Sequence, residues 1–318
     1  MMALLVFREK LMRFYSRYDM YVMPVLRFFL SLAALYFLSE NVGFRTSLNR
    51  PPVLAGLSLL CAFLPFGASA LLAGGVMLLH ISSVSLEMTL VMRMFLLAVW
   101  ILYYGLQPGD SCLLLLTPLF FHLNIPYAVP LLAGLSGSAV TAVPVCVGTC
   151  VYYLLQYVKQ NAGALTNDAS LDIIQKYTQI VDSIASNNAM LVMAAACAAG
   201  VFVVYGIRRL SVDYAWTIAI AAGTVAQLLV IFVGDFLFDV SVPIGQLLAG
   251  ALVSMILAGI YNFLFFSVDY SRTEYTQFED DDYYYYVKAV PKITVSAPDV
   301  KVQKISSTRN RRTVREKD

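Results

Sequence analysis

Charge is what this sequence lacks most. Only 13% of its 318 residues are Asp, Glu, Lys or Arg, about half the share of a soluble domain. Apolar residues fill the gap at 59%, and mean hydropathy is +0.72, which excludes an ordinary water-soluble globule. Histidine is scarce too, with His80 and His122 alone and far apart. The five cysteines (Cys61, Cys112, Cys146, Cys150, Cys197) all lie in apolar stretches, where a thiol behaves as a small hydrophobe. No disulfide framework is expected from them. Cys146 and Cys150 sit one turn apart, but a thiol pair without nearby histidine is weak support for a metal site. HExxH, GxSxG and the GxxxxGK phosphate loop are missing. We therefore expect no catalytic residue, no metal and no cofactor, and no ATP hydrolysis by the chain itself. Nor is there the period-2 alternation of an outer-membrane barrel, or a cleavable signal peptide, since MMALLVF is too short for one.

What is present is a series of apolar runs, several close to the ~20 residues that cross a bilayer as helix. The fold expected is all-α: a polytopic transmembrane bundle of about eight spans, some broken or kinked at proline, with a cytoplasmic C-terminal tail. Residues 1–21 read as an amphipathic interfacial helix. Leu4, Phe7, Leu11, Phe14 and Tyr18 share one face, and Lys10, Arg13 and Arg17 fall opposite. A plain basic flank orienting the first span is the alternative, and both readings put the N-terminus in the cytoplasm.

Residues 22–158 form the first transmembrane group. A span over 22–39 carries Arg27 close enough to its start to snorkel. Further apolar stretches cover 53–81, 88–106, 111–122 and 127–157, with breaks at QPGD (107–110) and HLNIP (122–126). Residues 159–188 read as an extracytoplasmic loop holding a short amphipathic helix. Ile173, Ile174, Tyr177, Ile180, Val181 and Ile184 share an arc there, and Asp168 could cap it. Residues 189–267 hold the last three spans, near 189–207, 214–234 and 243–266. Arg208 and Arg209 mark a cytoplasmic turn, Asp235 and Asp239 fall outside, and the tail falls inside. The span count is then even, and eight fits.

Two stretches echo each other. Pro52–Ser58 reads PVLAGLS and Pro130–Ser136 reads PLLAGLS, and each meets a later proline, Pro65 and Pro144. In the eight-span path they run in opposite directions, as in an inverted-repeat transporter whose substrate path lies at helix breaks. Pro65, Pro130 and Pro144 are the candidate path residues. Close helix packing through small residues explains the same pattern without transport. Packing seams are also expected at Gly134, Ser138 and Ala142, and at Gly250, Ser254 and Ala258. Gln227, Gln246 and Asn262 could bond across helices, but no paired carboxylate suggests a proton relay.

Residues 268–318 form the tail: an acidic run (279–282), a strand-like segment (283–295) and a basic end (301–317) expected to be disordered. The basic end could rest on anionic lipid or touch nucleic acid nonspecifically; no specific nucleic-acid binding is expected. Tyr283, Tyr284, Tyr285 and Tyr286 are the candidate partner-binding residues, because four exposed tyrosines call for a packing partner.

Several of these stretches resemble an uncharacterised family of integral membrane proteins from clostridial Firmicutes. The matching residues are YDMY (18–21), RRLSVD (208–213) with WTIAI (216–220), GDFLFD (234–239), VDYSRTE (268–274) and QFEDDDYYYYVKAVPK (277–292). Family members are often labelled permease components of ABC transporters, with no residue roles behind the label. The resemblance implies a bacterial cytoplasmic membrane, transport and a separate ATPase subunit as partner. Two functions stay open: a permease-type transport subunit, or a non-enzymatic membrane anchor recruiting a cytoplasmic protein through its tyrosine-rich tail. The lipid bilayer is a partner in either case, and homo-oligomerisation stays open.

Overall fold

The computed structural model describes residues 2–106, 108–167, 173–240, 242–266, 268 and 273–291. Eleven α-helices and one β-hairpin make up the described chain: α1 Met2–Val42, α2 Pro51–Phe63, α3 Phe66–Ile81, α4 Leu86–Leu106, α5 Cys112–His122, α6 Ala128–Ser136, α7 Ala142–Asn167, α8 Ile173–Ala185, α9 Asn188–Arg208, α10 Ala215–Phe238, α11 Ile244–Phe265, β1 Glu274–Glu279 and β2 Tyr284–Ala289. Asp168, the basic segment 301–317 and most of the 267–272 junction lie outside the described residues.

Among the described residues five helices are long and apolar enough to cross a membrane: Ala3–Val42, Ala139–Gly163, Asn188–Arg208, Ala215–Phe238 and Ile244–Phe265. Their packing is that of a membrane protein. In α11 the buried residues are mostly small, with Gly250, Ala251, Ser254 and Ala258 among them. Leu248, Leu252, Ile256 and Ile260 face outward. Water would reverse that arrangement, whereas hydrocarbon accepts it because lipid tails are as apolar as leucine.

The last three helices follow the sequence closely. The amphipathic helix in 159–188 is α8, whose Ile180 is buried and whose Lys176 reaches Glu87 at 3.8 Å. Asn187 caps α9, its side chain accepting from the Met190 N–H at 3.0 Å. Helix α1 departs from helical geometry at Tyr18 (φ −119°, ψ 21°), which separates the amphipathic segment from the span close to the expected boundary. Leu4, Phe7, Leu11 and Phe14 remain exposed, so none of the described residues covers that face.

The first group differs from expectation. Residues 53–81 do not form one span. Leu64 and Pro65 are both extended (ψ 152° and 153°), and the chain reverses there. Arg27 donates to the Leu64 carbonyl at 3.3 Å and lies over the Phe66 ring at 5.1 Å. At the far end the Arg45 N–H donates to His80 Nδ1 at 3.4 Å. Helix α2 therefore runs back along α1, and α3 returns parallel to it. Each is about 20–24 Å long, shorter than a full crossing. Serines manage the next reversal, Ser82 and Ser83 bonding the last carbonyls of α3 and Ser85 capping α4 at Met88.

These contacts decide which helix ends lie together. Glu87 faces α8, in the segment expected outside. His122 likewise pairs with Glu40 at 3.2 Å, at the end where Lys159 donates to Asn41 at 3.2 Å. The Pro108–Asp110 turn joins the opposite ends of α4 and α5.

The stretch 127–157 divides at Gly137–Ser138 rather than at its prolines. Pro130 and Pro144 each stand third in their helices, α6 and α7, where backbone N–H groups have no intrahelical acceptor. They start helices instead of kinking them. Helix α7 also runs to Asn167, well into the segment expected as loop, and α10 carries Asp235 in its last turn before Asp239 adopts φ 53°. Gly134, Ser138 and Ala142 consequently do not share one helix face, whereas Gly250, Ser254 and Ala258 do.

Candidate functional site

The three candidate path prolines are not brought together. Pro65 is exposed at the α2–α3 reversal, while Pro130 and Pro144 are buried in helix starts. A cavity of about 430 Å³ lies between α1, α3, α4, α5 and α7, and none of the three lines it. Pro118, inside α5, does. The echoed segments also run the same way. Helix α2 heads from Gly43 toward Arg27, and α6 from Asn124 toward Arg208, which bonds the Leu135 and Gly137 carbonyls. The opposed orientation that an inverted repeat requires is replaced by a parallel one.

Polar chemistry inside the bundle is thin. Gln227 is fully buried, but its amide donates within its own helix, to the Gly223 carbonyl at 3.3 Å, rather than across helices. Gln246 is exposed. The Cys146 thiol donates to the Ala194 carbonyl at 3.5 Å, and Thr149 meets the Cys197 sulfur at 3.7 Å. Among the described residues no group of three His, Cys, Asp or Glu could hold a metal.

The tail is the best-defined polar feature. Strands β1 and β2 pair antiparallel, with Glu274 opposite Ala289 and Glu279 opposite Tyr284. Side chains alternate along a strand, so the four tyrosines do not act as one patch. Tyr285 lies beside Phe278, Thr276 and Val287 on one face, its ring stacked on Phe278 at 4.9 Å. Tyr284 and Tyr286 share the other face with Tyr275, Gln277 and Lys288. Tyr283 belongs to the turn. All four are exposed, and Tyr286 is the most open at 79%.

Asp280 builds the turn. One carboxylate oxygen accepts from the N–H groups of Asp282 (2.9 Å) and Tyr283 (2.8 Å), and the other from the Tyr285 hydroxyl (2.9 Å). These bonds, the Asp282 N–H first, hold the Asp280 carboxyl below its ordinary pKa and push the Tyr285 hydroxyl up. A carboxyl depressed in the folded state supports the turn fully above its unfolded value, ~4. That support is lost as pH falls through the folded value. Asp280→Ala should speed amide exchange across 274–289 at pH 7, and the parent should approach that behaviour only in acid. Equal exchange in the two chains at pH 7 would remove Asp280 from the turn.

Lys288 joins the hairpin to the α9–α10 connection, its ammonium 2.5 Å from Asp213. The same end of the bundle holds Arg8, which donates to the Leu264 carbonyl at 2.7 Å, and the stacked Trp216–Phe266 pair. Sequence reasoning found the tyrosines. It missed Asp280 as their organiser, although an aspartate four residues ahead of the second strand is a known turn signal.

The fold and its apolar exterior define the class: an all-helical membrane protein with an appended β-hairpin. No protein-family model, curated protein or solved structure matches the chain. The motif resemblance to the clostridial membrane family is neither strengthened nor weakened by that result.

Proposed function

We propose that the chain is a multi-pass protein of a bacterial cytoplasmic membrane, with both termini on the cytoplasmic face, and that it is a non-enzymatic anchor recruiting a cytoplasmic protein through the 274–289 hairpin. The hairpin is the observation that carries this reading. It exposes aromatic side chains on both faces and leaves both strand edges without a neighbouring strand among the described residues. Two strands alone are marginally stable in water. A partner adding a strand to one edge would complete the ladder while its side chains met Tyr284 and Tyr286 or Phe278 and Tyr285. Charge supports the sidedness: Arg8, Lys10, Arg13, Arg17, Arg208 and Arg209 gather toward that end and outnumber Arg45, Arg50, Lys159 and Lys176 toward the other.

A permease subunit would dock its ATPase at the same end, so one experiment separates the readings. A photo-crosslinking phenylalanine is placed at Tyr286, or as a control at Phe236, which is 89% exposed on the helical surface. Irradiation in the native membrane should give a single adduct of fixed mass from Tyr286 and none from Phe236. An ATPase in that adduct supports the permease reading, and an adduct of twice the chain mass supports self-association. If both positions give the same products, or neither gives any, recruitment through the hairpin is wrong.

A further inference from the structure

We propose that the cavity between α1, α3, α4, α5 and α7 is a binding site for a single-chain anionic amphiphile of the fatty-acid type, its chain within the cavity and its carboxylate on Arg93. The proposal is independent of the recruitment reading.

The cavity wall is apolar, formed by residues such as Phe37, Leu71, Leu97, Trp100, Leu115 and Val151, and among the described residues Arg93 is the one charged side chain on it. Arg93 stands seven residues into α4, a helix whose other described residues include a single further charge, Glu87. Glu87 is engaged elsewhere, accepting from Ser85 at 2.8 Å and facing Lys176. Six positions apart, Glu87 and Arg93 do not share a helix face. Among the described residues Arg93 has no hydrogen bond or ion pair. The Arg93 side chain is exposed where it meets the cavity, so an incoming carboxylate can accept two of its N–H groups at once.

Shape selects the rest of the ligand. The mouth lies between α3 and α4, where Leu71, Leu97 and Trp100 are each close to half exposed, so entry is from the apolar flank of the bundle. The room comes from small residues along α3, including Gly67, Ala70 and Gly75, and a Cβ on Gly75 would meet nothing within 4 Å. At ~30 Å³ for a group of water or methylene size, 430 Å³ holds roughly fourteen such groups. That suits one alkyl chain rather than the two of a phospholipid. A volume of this order is also typical of ligand pockets.

Trp100 is a built-in reporter, because the only other tryptophan is Trp216. The full chain carrying Trp216→Phe is reconstituted into phosphatidylcholine vesicles and titrated with 9,10-dibromostearate, whose bromines quench nearby indole. Quenching of Trp100 should saturate. It should weaken at least tenfold with the uncharged methyl ester and with Arg93→Gln, and vanish with Gly75→Leu, which fills the cavity. Arg93→Lys keeps the charge and should stay within about threefold of the parent. Linear, unsaturable quenching that is the same for every variant means partition into bulk lipid and overturns the site. Brominated phosphatidylglycerol matching or exceeding the fatty acid overturns the single-chain assignment.

Discussion

Replacing Gly223 by valine is expected to lower stability by ~3 kcal/mol, the upper end of the usual overpacking range. A Cβ built on Gly223 would come within 2.3 Å of Val204 Cγ2 and 3.0 Å of Leu131 Cδ2. All three positions lie at the junction of α6, α9 and α10, and Val204 and Leu131 are fully buried. Val204 has no room to turn away, because Gly134 presses it from α6, where an added Cβ would stand 2.6 Å from Val204 Cβ. Valine is a poor choice for such a gap, since its branched Cβ holds one rotamer in a helix. The measurement is thermal unfolding in one detergent, with Val204→Ala as the second arm of a double-mutant cycle. Truncating Val204 removes the clashing methyl, so the double variant should be more stable than the sum of the single effects implies, by at least ~1 kcal/mol. Strict additivity would show that Gly223 and Val204 are not in contact.

Arg208 and Arg209 should behave very differently when each is changed to alanine, although by charge alone they are equivalent. The Arg208 guanidinium donates to the carbonyls of Leu135 and Gly137, fastening the end of α6 to the end of α9, and lies over the Tyr205 ring at 5.3 Å. Hydrogen bonds from a charged donor contribute ~1.5–3 kcal/mol each, and their loss leaves two carbonyls unsupported. We expect Arg208→Ala to cost about 3 kcal/mol. Arg208→Lys should recover less than half, because one ammonium cannot span two carbonyls as a fork does. Arg209 is exposed and, among the described residues, meets only Tyr205, donating to its hydroxyl at 2.9 Å and lying 5.4 Å from its ring centre, so Arg209→Ala should stay within ~0.5 kcal/mol. Equal melting shifts for the two alanine variants would assign both arginines to topology alone.

Those two expectations show what a charge pattern can and cannot carry. The positive-inside rule counts arginines near a helix end and therefore gives 208 and 209 the same role. Which of them turns inward depends on α6 ending beside α9, more than seventy residues away in the chain. The prolines teach the same lesson in reverse. Pro65 does mark a break, but a break can bend a span or reverse it. Pro130 and Pro144 interrupt nothing, because α6 and α7 happen to begin just before them. The candidate site divides similarly. A run of four tyrosines is visible in the sequence, and the pleat of a strand then splits Tyr285 from Tyr284 and Tyr286. The Asp280 bonds that fix where the strand begins appear only in the folded turn.

The sequence by itself determined the membrane class, the three helices from Asn188 to Phe265 and the amphipathic α8. Transfer of a helix into hydrocarbon is nearly a sum over consecutive residues, so the information is local and a run of twenty suffices. Only the tertiary structure decided that 53–81 folds back on itself, that the two PxLAGLS segments run parallel, and that Arg93 stands at an apolar cavity without a partner among the described residues. Each of these depends on contacts between distant residues, such as Arg27 with Leu64 and Arg45 with His80, whose separations of 37 and 35 positions no hydropathy window spans.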